Sequence, residues 1–322
     1  MTDITENSDN ELKLSSFTSK NKKKKAIIVA GPTASGKTGA AVALAELCGG
    51  QVVNADSMQI YRDVPTLTAR PDAAQMRGVP HRLFGFLPPD AKFGVVKWLN
   101  AAKKEADDVL KSGGVPVFVG GTGLYFDALM NGVNEIPAVP PAVRDGVCAR
   151  FDAMGRDAFL ADYLQKDPSF RFVDRQRLCR AAEVLEATGK TIGYWQDAPR
   201  KMAYDADFYT ILMLPERAVL YARCDARFDA MMQKDVFGEI DALYAQNPPA
   251  DAGVLNALGV KELKAARDGG ILLDEAVALA KRATRHYAKR QTTWFTHRFD
   301  AKKIVSDGDF SKILTDVLHF LR

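Results

Sequence analysis

The chain has 322 residues, a formal net charge of +4 and a sequence pI near 8.7. Hydrophobic residues make up 47% of it and charged residues 26%, so the composition excludes a fibrous or wholly disordered protein. The length suggests one large α/β unit or two smaller ones. The mildly basic balance permits a nucleic-acid partner without requiring one.

The four cysteines lie far apart in the sequence and show no paired spacing. They are Cys48, Cys148, Cys179 and Cys224. This pattern indicates neither a zinc site nor a disulfide framework, so we expect a reduced, cytoplasmic setting.

The amino terminus is polar and lacks the apolar run that a secretion signal or a membrane span requires. We therefore predict a disordered tail over residues 1–25 and no association with a membrane. The tail ends in Lys22–Lys25, a run of four lysines. This run could attract an RNA backbone, or it could be a solvated tail with no partner.

A complete phosphate-binding loop follows the first predicted strand, Ala26–Ala30, and leads into a predicted helix of small residues, Gly39–Leu47. Glycines let the backbone curl so that N–H groups point at an anion, while Lys37 supplies a charge and Thr38 a hydroxyl for a divalent metal. The alternative is a glycine-rich turn without a ligand, which would not require this flanking strand and helix. The loop residues are Gly31, Pro32, Thr33, Ala34, Ser35, Gly36, Lys37 and Thr38.

The second predicted strand, Gln51–Ala55, places Asp56 at its carboxyl end. Ligands bind at that end of parallel strands, so we expect Asp56 close to the phosphate-binding loop. Further polar groups follow it as far as Arg62 and favour a functional role. The alternative is that Asp56 caps the next helix.

A predicted amphipathic helix, Phe93–Lys111, precedes a third buried strand, Val115–Val119. The strand opens onto the glycine-rich segment Gly120–Tyr125, whereas most P-loop nucleotidases place a metal-holding acid there. Glycines allow a ligand to approach the backbone closely, and Thr122 offers a hydroxyl to the cleft. A merely tight turn is the alternative.

A polar, arginine-rich helical segment interrupts the sheet pattern. We predict an inserted helical domain over residues 134–201, which divides a core domain made of residues 26–133 and 202–322. Within the insert, Arg177 and Arg180 lie one turn apart on one helix face. Such a pair suits phosphates and base edges, although a solvated face paired with glutamates is the alternative.

The chain returns to the sheet with strand Phe208–Leu214, and Arg223 and Arg227 follow on a helix, four residues apart. Either arginine could close over the phosphates of a ligand. A long helix near the end, Asp274–His297, carries basic residues that could follow a nucleic-acid backbone. These are Lys281, Arg282, Arg285, His286, Lys289 and Arg290, whereas Trp294 and Phe295 are predicted core residues.

Five motifs follow one another along the chain, namely Gly31–Thr38, Asp56–Arg62, Gly120–Tyr125, Gln176–Arg180 and Ala288–Phe295. They occur in the order found in tRNA dimethylallyltransferases, and the chain resembles that family from about Ala26 to Phe299. The resemblance implies an α/β fold with a P-loop NTPase-like, mostly parallel sheet, helices on both faces and an inserted all-helical tRNA-binding domain.

The resemblance implies that the dimethylallyl group of dimethylallyl diphosphate is transferred to the exocyclic amine of the adenosine 3′ to the anticodon, releasing diphosphate. The phosphate-binding loop would then hold the donor diphosphate, with Mg²⁺ helped by Thr38. Asp56 matches the general base of the family, and Thr122 a residue near its reaction channel. Arg223 or Arg227 resembles a diphosphate-binding arginine, and the sequence does not choose between them.

The resemblance also implies contacts with the anticodon stem-loop of tRNA. Asp56 and Thr122 would touch the nucleotide near the channel, and Arg144 matches a further contact by spacing. We expect a monomer that acts on tRNA. The remaining matched tRNA-contact positions are Ser57, Met58, Gln59, Gln176, Arg177, Leu178, Cys179 and Arg180.

Two segments depart from the family pattern. Pro80–Gly85 lacks the second histidine and the acid that usually follow the first histidine, and Gly259–Glu262 replaces a usual Gly-Tyr-Lys/Arg-Gln. Two other functions also fit parts of the sequence. A small-molecule kinase would use the phosphate-binding loop with ATP, and a nucleotide-gated RNA-binding protein would need only the loop and the basic helices.

Overall fold

The computed structural model describes residues 23–306 and 311–322, and of residues 311 and 312 only the backbone. Six strands and thirteen α-helices span these residues. In chain order they are β1 (Lys24–Ala30), α1 (Lys37–Cys48), β2 (Gln51–Asn54), α2 (Ala73–Met76), β3 (His81–Arg82), α3 (Val95–Lys111), β4 (Pro116–Gly120), α4 (Gly123–Asn131), α5 (Pro141–Met154), α6 (Arg156–Lys166), α7 (Arg175–Thr188), α8 (Ile192–Gln196), β5 (Ala206–Met213), α9 (Arg217–Met232), α10 (Val236–Ala245), α11 (Val260–Arg267), α12 (Leu273–Arg298), β6 (Lys303–Val305) and α13 (Ser311–Leu321).

The described strands form one sheet in the order β3-β2-β4-β1-β5-β6, and every pair is parallel. The predicted α/β fold with a mostly parallel sheet is therefore confirmed. β1 lies at the centre between β4 and β5, so that Ala30 is level with Gly120 and with Leu212. All strands end at one edge, and the loops that follow β1, β2 and β4 meet there.

Helices cover both faces of the sheet because alternate residues of the buried strands point to opposite sides. Ile28 of β1 packs with Trp98 of α3 and Phe295 of α12 in one core cluster. Ile27 of the same strand packs with Leu44 of α1 in a second cluster on the other face. Phe295 is fully buried, as predicted, whereas Trp294 is only half-buried.

Helices α5 to α8 form the part of the chain that the sequence predicts as an insert, and they have a core of their own around Phe159 and Leu178. The two ends of this insert meet at an isolated antiparallel bridge between Val133 and Lys201. In the bridge, the backbone N–H of each residue donates to the carbonyl of the other, at 2.8 and 2.9 Å. This bridge coincides with the boundaries at 134 and 201, and the division into domains stays our proposal.

A further helical cluster was not predicted from the sequence. Helices α10 and α11 pack with α9 and α12 around Ile240 and Leu263, and the segment that follows Asp56 lies against them through Ile60 and Leu67. This packing fixes the loop that carries Asp56 from its outer side.

The first strand begins at Lys24, two residues before the predicted start. Lys23 pairs with Asp207 at 2.7 Å and Lys24 with Asp107 at 2.8 Å, so the end of the lysine run is held by acids of the core. The rest of the predicted tail, residues 1–22, lies outside the described residues. Among the helices described, none is both long and apolar enough to cross a bilayer.

Candidate active site at the carboxyl edge of the sheet

The phosphate-binding loop curls between the end of β1 and the start of α1. Gly36 has a φ of 86° and Ala34 a φ of 63°, so both adopt the left-handed conformation that turns successive N–H groups towards one side. The Ser35 N–H donates to the Pro32 carbonyl at 3.3 Å and closes the turn. The Ser35 hydroxyl is buried and has no hydrogen-bond partner in the described part of the chain. Such a group fits a loop that completes its hydrogen bonds with a ligand.

Two cations lie against this loop, Lys37 buried and Arg227 half-buried. Lys37 is only 9% exposed, and its ammonium group donates to the Pro32 carbonyl at 3.2 Å. Burial lowers the pKa of Lys37 to about 8, with nearby Arg227 acting in the same direction and Asp56 against it. The Arg227 guanidinium donates to the Thr33 hydroxyl, and burial lowers its pKa as well.

Arg223 and Arg227 lie one turn apart on α9 and occupy different places. Arg227 is half-buried beside Thr33, on the side of the loop where the Asp56 charge is felt. Arg223 is exposed and lines a cleft of about 640 Å³ on the other side, with Gly36 and Ser306. Arg227 is thus bonded to the loop and lies within the influence of the Asp56 charge.

Asp56 follows β2 and is held in a tight local network. The Asn54 side-chain oxygen accepts the Asp56 N–H at 2.9 Å, and the carboxylate oxygen Oδ1 of Asp56 accepts the Met58 N–H at 2.9 Å. Asn54 is fully buried, and its amide also donates to the Leu83 carbonyl at 3.0 Å. The carboxylate is thus fixed by its own loop. It caps no regular helix, because turns and bends follow it until α2, which is capped by Asp72.

Thr122 lies beside Asp56, as expected from the parallel ends of β2 and β4. Its hydroxyl accepts the Ser57 N–H at 2.9 Å and lies 3.3 Å from the Ser57 hydroxyl. Two tyrosines, the buried Tyr125 and the half-buried Tyr287, complete this side of the site. Burial and, secondarily, the Asp56 charge raise the pKa of both Tyr125 and Tyr287.

The polar residues after Asp56 divide into different roles. Ser57 and Met58 are half-buried next to Thr122 and Asp56. The Gln59 amide donates to the carbonyls of Thr68 and Ala69, at 3.0 and 2.9 Å. This side chain therefore holds the following loop in place.

The site suits a divalent metal whose ligands are one oxygen of the protein and the oxygens of a bound phosphate group. Thr38 is half-buried in the first turn of α1, next to Lys37. Within residues 23–306 and 311–322, no group of three acidic, histidine or cysteine side chains could hold a metal by itself. Mg²⁺ commonly keeps waters and phosphate oxygens with only one or two protein ligands, so this donor set suits it.

The residues predicted to contact tRNA on the insert lie together there, away from the phosphate-binding loop. Arg144 of α5 and Arg180 of α7 both approach the buried Glu183 carboxylate, at 3.8 and 3.3 Å. Gln176 and Arg177 are exposed at the start of α7. The remaining two, Leu178 and Cys179, are buried in the core of the insert, which removes their side chains from the predicted contact surface.

The basic face of α12 is smaller than the sequence predicts. Lys281 pairs with Asp229 and Arg285 with Asp225, both at 2.6 Å, because this part of the helix packs on α9. Of the six basic residues predicted on this face, four are exposed, namely Arg282, His286, Lys289 and Arg290. The last three line a cleft of about 580 Å³ with Trp294 and Arg298.

Two side chains that no sequence prediction singled out organise the site. Asn54, the last residue of β2, fixes the Asp56 loop, and Gln291 of α12 bonds to the phosphate-binding loop through the Thr33 N–H at 2.8 Å. Gln291 lies inside a recognised motif, whereas a polar residue at the end of an apolar strand was the only signal for Asn54.

The departure at Pro80–Gly85 has a structural explanation. His81 and Arg82 form the short edge strand β3, and Arg82 pairs with Glu105 of α3 at 2.7 Å and bonds to Gln51. Arg82 thus fastens the edge of the sheet to a helix.

Comparison with known proteins gives consistent relatives along the whole core. The family model described as IPP transferase matches residues 59–298, and the one described as isopentenyl transferase matches residues 24–85. A tRNA dimethylallyltransferase of Bradyrhizobium sp. is 42% identical over 279 residues, which is 85% of this chain and 92% of the relative. One from Rhizobium etli is 43% identical over 280 residues, covering 85% and 94%.

Solved structures agree. The full-length tRNA isopentenylpyrophosphate transferase of Bacillus halodurans superposes with a TM-score of 0.68 at 31% identity, covering 93% of this chain and 96% of that one. A eukaryotic dimethylallyltransferase, captured acting on tRNA, superposes with a TM-score of 0.74 at 25% identity, covering 88% and 74%. The chain therefore belongs to the tRNA dimethylallyltransferase family.

Proposed function

We infer that this protein modifies tRNA by transferring a dimethylallyl group to it. Membership of the family supports this activity, and the site provides the chemistry. The observation that carries the proposal is that two cations bonded to the phosphate-binding loop, the buried Lys37 and the half-buried Arg227, meet the Asp56 carboxylate at one edge of the sheet. The cations suit an anionic donor, and the carboxylate suits an acceptor that loses a proton, so the reaction needs both kinds of group side by side.

The donor we propose is dimethylallyl diphosphate, and the acceptor is the exocyclic amine of the adenosine 3′ to the anticodon. The amine nitrogen forms a bond to the allylic carbon, the bond from that carbon to the diphosphate oxygen breaks, and the amine loses a proton. An aromatic amine is a weak nucleophile, so a carboxylate that accepts this proton lowers the barrier. Asp56 takes this role, and the network around Asn54 holds it in position.

The leaving diphosphate gains negative charge as the carbon–oxygen bond breaks. The N–H groups of the loop, the Lys37 ammonium and the Arg227 guanidinium are already in place to stabilise that charge. Their burial strengthens the interaction, since there is little water to screen it. Arg223, across the loop, has a lesser role in our proposal.

We propose that Thr38 contributes its hydroxyl to a Mg²⁺ ion bound together with the diphosphate. The ion would supply additional charge neutralisation for the leaving group. Thr122 positions the Asp56 loop through Ser57 and lines the path of the adenosine.

For tRNA binding we propose the exposed side chains Gln176, Arg177 and Arg180 of α7, with Arg144, and the exposed basic face of α12. Arginines of this kind form bidentate contacts with phosphate and base edges. The target adenosine leaves its stack to reach Asp56, as enzymes that modify bases require.

The two other functions are not favoured. A kinase of the P-loop class would carry a metal-holding acid at the end of β4, where this chain has Gly120 and Gly121. A binding protein without chemistry would not need the carboxylate of Asp56 fixed beside two cations of the phosphate-binding site.

Mass analysis of nucleosides from tRNA tests the proposal. Purified protein is incubated with tRNA, dimethylallyl diphosphate and Mg²⁺, and the expected product is adenosine heavier by one dimethylallyl group in place of hydrogen. A tRNA with guanosine at the position 3′ to the anticodon is the matched control, and its nucleosides should gain no mass. Unmodified tRNA in both reactions, or steady hydrolysis of ATP as the main turnover, would contradict the proposal. Light scattering in the same buffer checks the expected monomer.

A further inference from the structure

Gln291 occupies a central place between the two halves of the site, although its side chain is almost fully buried, at 6% exposure. It projects from the middle of α12. Its carbonyl oxygen Oε1 accepts the N–H of Thr33 at 2.8 Å, and its amide nitrogen Nε2 donates to the carbonyl of Gly121 at 2.8 Å. One side chain therefore joins the phosphate-binding loop to the glycine turn after β4.

The glycine turn carries this connection on to the Asp56 loop. Gly121 is followed by Thr122, whose hydroxyl accepts the N–H of Ser57 at 2.9 Å. Ser57 is the neighbour of Asp56. The connection thus runs from Thr33 of the phosphate-binding loop through the Gln291 side chain to Gly121. It continues along the backbone to Thr122 and ends at Ser57, next to the Asp56 carboxylate.

Gly121 is shaped for this contact. A Cβ atom at that position would lie 2.2 Å from Nε2 of Gln291, far inside van der Waals contact. The close approach of backbone and amide therefore depends on the absence of a side chain.

The amide of Gln291 meets both backbone groups at once. Thr33 presents a donor and Gly121 an acceptor, so the bridging side chain must accept on one branch and donate on the other. A glutamate carboxylate accepts but does not donate, and methionine has the length but neither function. Leaving the buried N–H and carbonyl without partners is costly, so their loops would shift to find others.

The bridge also restricts what the loop offers to an anion. The Thr33 N–H is occupied by Gln291, and the Thr33 hydroxyl receives the guanidinium of Arg227. Thr33 is thus fixed from both sides. Of the loop N–H groups after it, that of Ser35 closes the turn on Pro32, and the others remain for the ligand.

We propose that Gln291 is a positioning residue that sets the distance between the diphosphate cradle and the Asp56 carboxylate. The proposal rests on the transferase activity inferred above. Reaction rates depend steeply on the alignment of two reacting groups, and a displacement of about 1 Å costs on the order of 100-fold. Gln291 contributes to the rate of transfer by holding the two loops, without touching either substrate.

The test compares Gln291→Met and Gln291→Glu with the parent protein and with Thr284→Val. Thr284 is the matched control because it is a buried polar residue of the same helix, 3% exposed, whose hydroxyl bonds only within the helix, to Ala280 at 2.8 Å. All four proteins are measured at a temperature where circular dichroism shows them folded. The readouts are kcat, the KM of each substrate and the Kd of tRNA.

We expect kcat to fall about 100-fold in Gln291→Met, as for a 1 Å misalignment, while the Kd of tRNA changes less than three-fold and Thr284→Val keeps the parent kcat. In Gln291→Glu, the neutral acid can both donate and accept. The ratio of its kcat to that of the parent should therefore rise as the pH falls, whereas the ratio for Gln291→Met should stay flat.

Backbone exchange gives a readout that does not depend on activity. The Thr33 amide should exchange with deuterium faster in Gln291→Met than in the parent and in Thr284→Val. An active parent together with unchanged kcat in both Gln291 variants would overturn the positioning role and leave the proposed function intact. A parent that modifies no tRNA would instead contradict the proposed function, while the exchange result would still report on the bridge.

Discussion

The edge of the sheet and the inserted helical domain both carry cations, but in opposite environments. At the edge, Lys37 is buried and Arg227 half-buried, and both hydrogen-bond to uncharged oxygens, those of Pro32 and Thr33. On the insert, Arg177 and Arg180 are partly or fully exposed and lie within 4 Å of an acid, at 3.7 Å from Asp174 and 3.3 Å from Glu183.

This difference separates two ways of holding a polyanion. Burying a charge without a counter-ion is unfavourable, so the edge of the sheet is arranged for a small anion that supplies the missing charge. Exposed, paired arginines gain little from each contact, because water and salt screen them and their present partners must be displaced. The insert can bind a long backbone only through many such contacts.

The largest expected effect is the loss of the carboxylate at the edge. Asp56→Asn keeps an oxygen that can accept the Met58 N–H but removes the proton acceptor, so transfer should fall by about 100- to 10,000-fold, the range for a general base. Binding of tRNA should stay within a few fold. Single-turnover assays and tRNA titration measure the two quantities, and Asp56→Ala shows what the loop contact adds. Full activity in Asp56→Asn would reject the role of base.

The next effect distinguishes the two arginines of α9. Arg227→Met removes a half-buried charge next to Thr33, and the loss of a charge-assisted bond of about 1.5–3 kcal/mol corresponds to roughly 10- to 150-fold weaker binding of dimethylallyl diphosphate. Arg223→Met, the exposed counterpart, should weaken it only a few fold. Calorimetric titration with the diphosphate compares them. The reverse order would place the donor in the cleft that Arg223 lines.

A smaller effect is expected from pH. Because burial lowers the pKa of Lys37 to about 8, raising the pH through 8 neutralises the lysine in the free protein. The diphosphate binds the protonated form of Lys37. Its affinity should therefore fall above pH 8, with a slope that approaches ten-fold per pH unit, and Lys37 should cause no change in affinity below pH 8. Titration of Lys37→Met should lack this decline. A decline of equal size in the variant would assign it to another group.

The smallest effect is expected on the insert. Arg177→Gln should weaken tRNA binding a few fold and reduce the slope of log K against log salt by about 0.7–0.9 for each phosphate that the arginine neutralises. Arg175→Gln is the matched control on the same helix, because Arg175 is bound by both oxygens of Asp152 at 2.8 Å. Filter binding over a range of salt concentrations measures both variants. Equal slopes in Arg177→Gln and the parent would make Arg177 an ordinary surface charge.

The sequence predicted the core of the fold because its strands and loops carry local signals. Residues 31–38 and the apolar strand before them define one loop without reference to the rest of the chain, and Asp56 and Thr122 follow from the geometry of parallel strand ends. The site could be assembled from such local statements.

What the sequence did not predict depends on contacts between distant residues. The role of Asn54 needs the Leu83 carbonyl and the indole of Trp98, which donates to the Asn54 backbone carbonyl at 2.8 Å. The pattern on α12 likewise gave its basic residues but not the acids of α9 that neutralise Lys281 and Arg285. Periodicity identifies a helix face and does not identify what packs against it.

The bridge between Val133 and Lys201 has a consequence for how such a protein can change over evolution. Since the two ends of the insert are already held together by a reciprocal pair of backbone hydrogen bonds, a shorter or longer insert can be exchanged there without reopening the sheet. We expect a short loop joining the two residues to leave the sheet and its helices folded. The edge of the sheet and the insert can thereby diversify at separate rates.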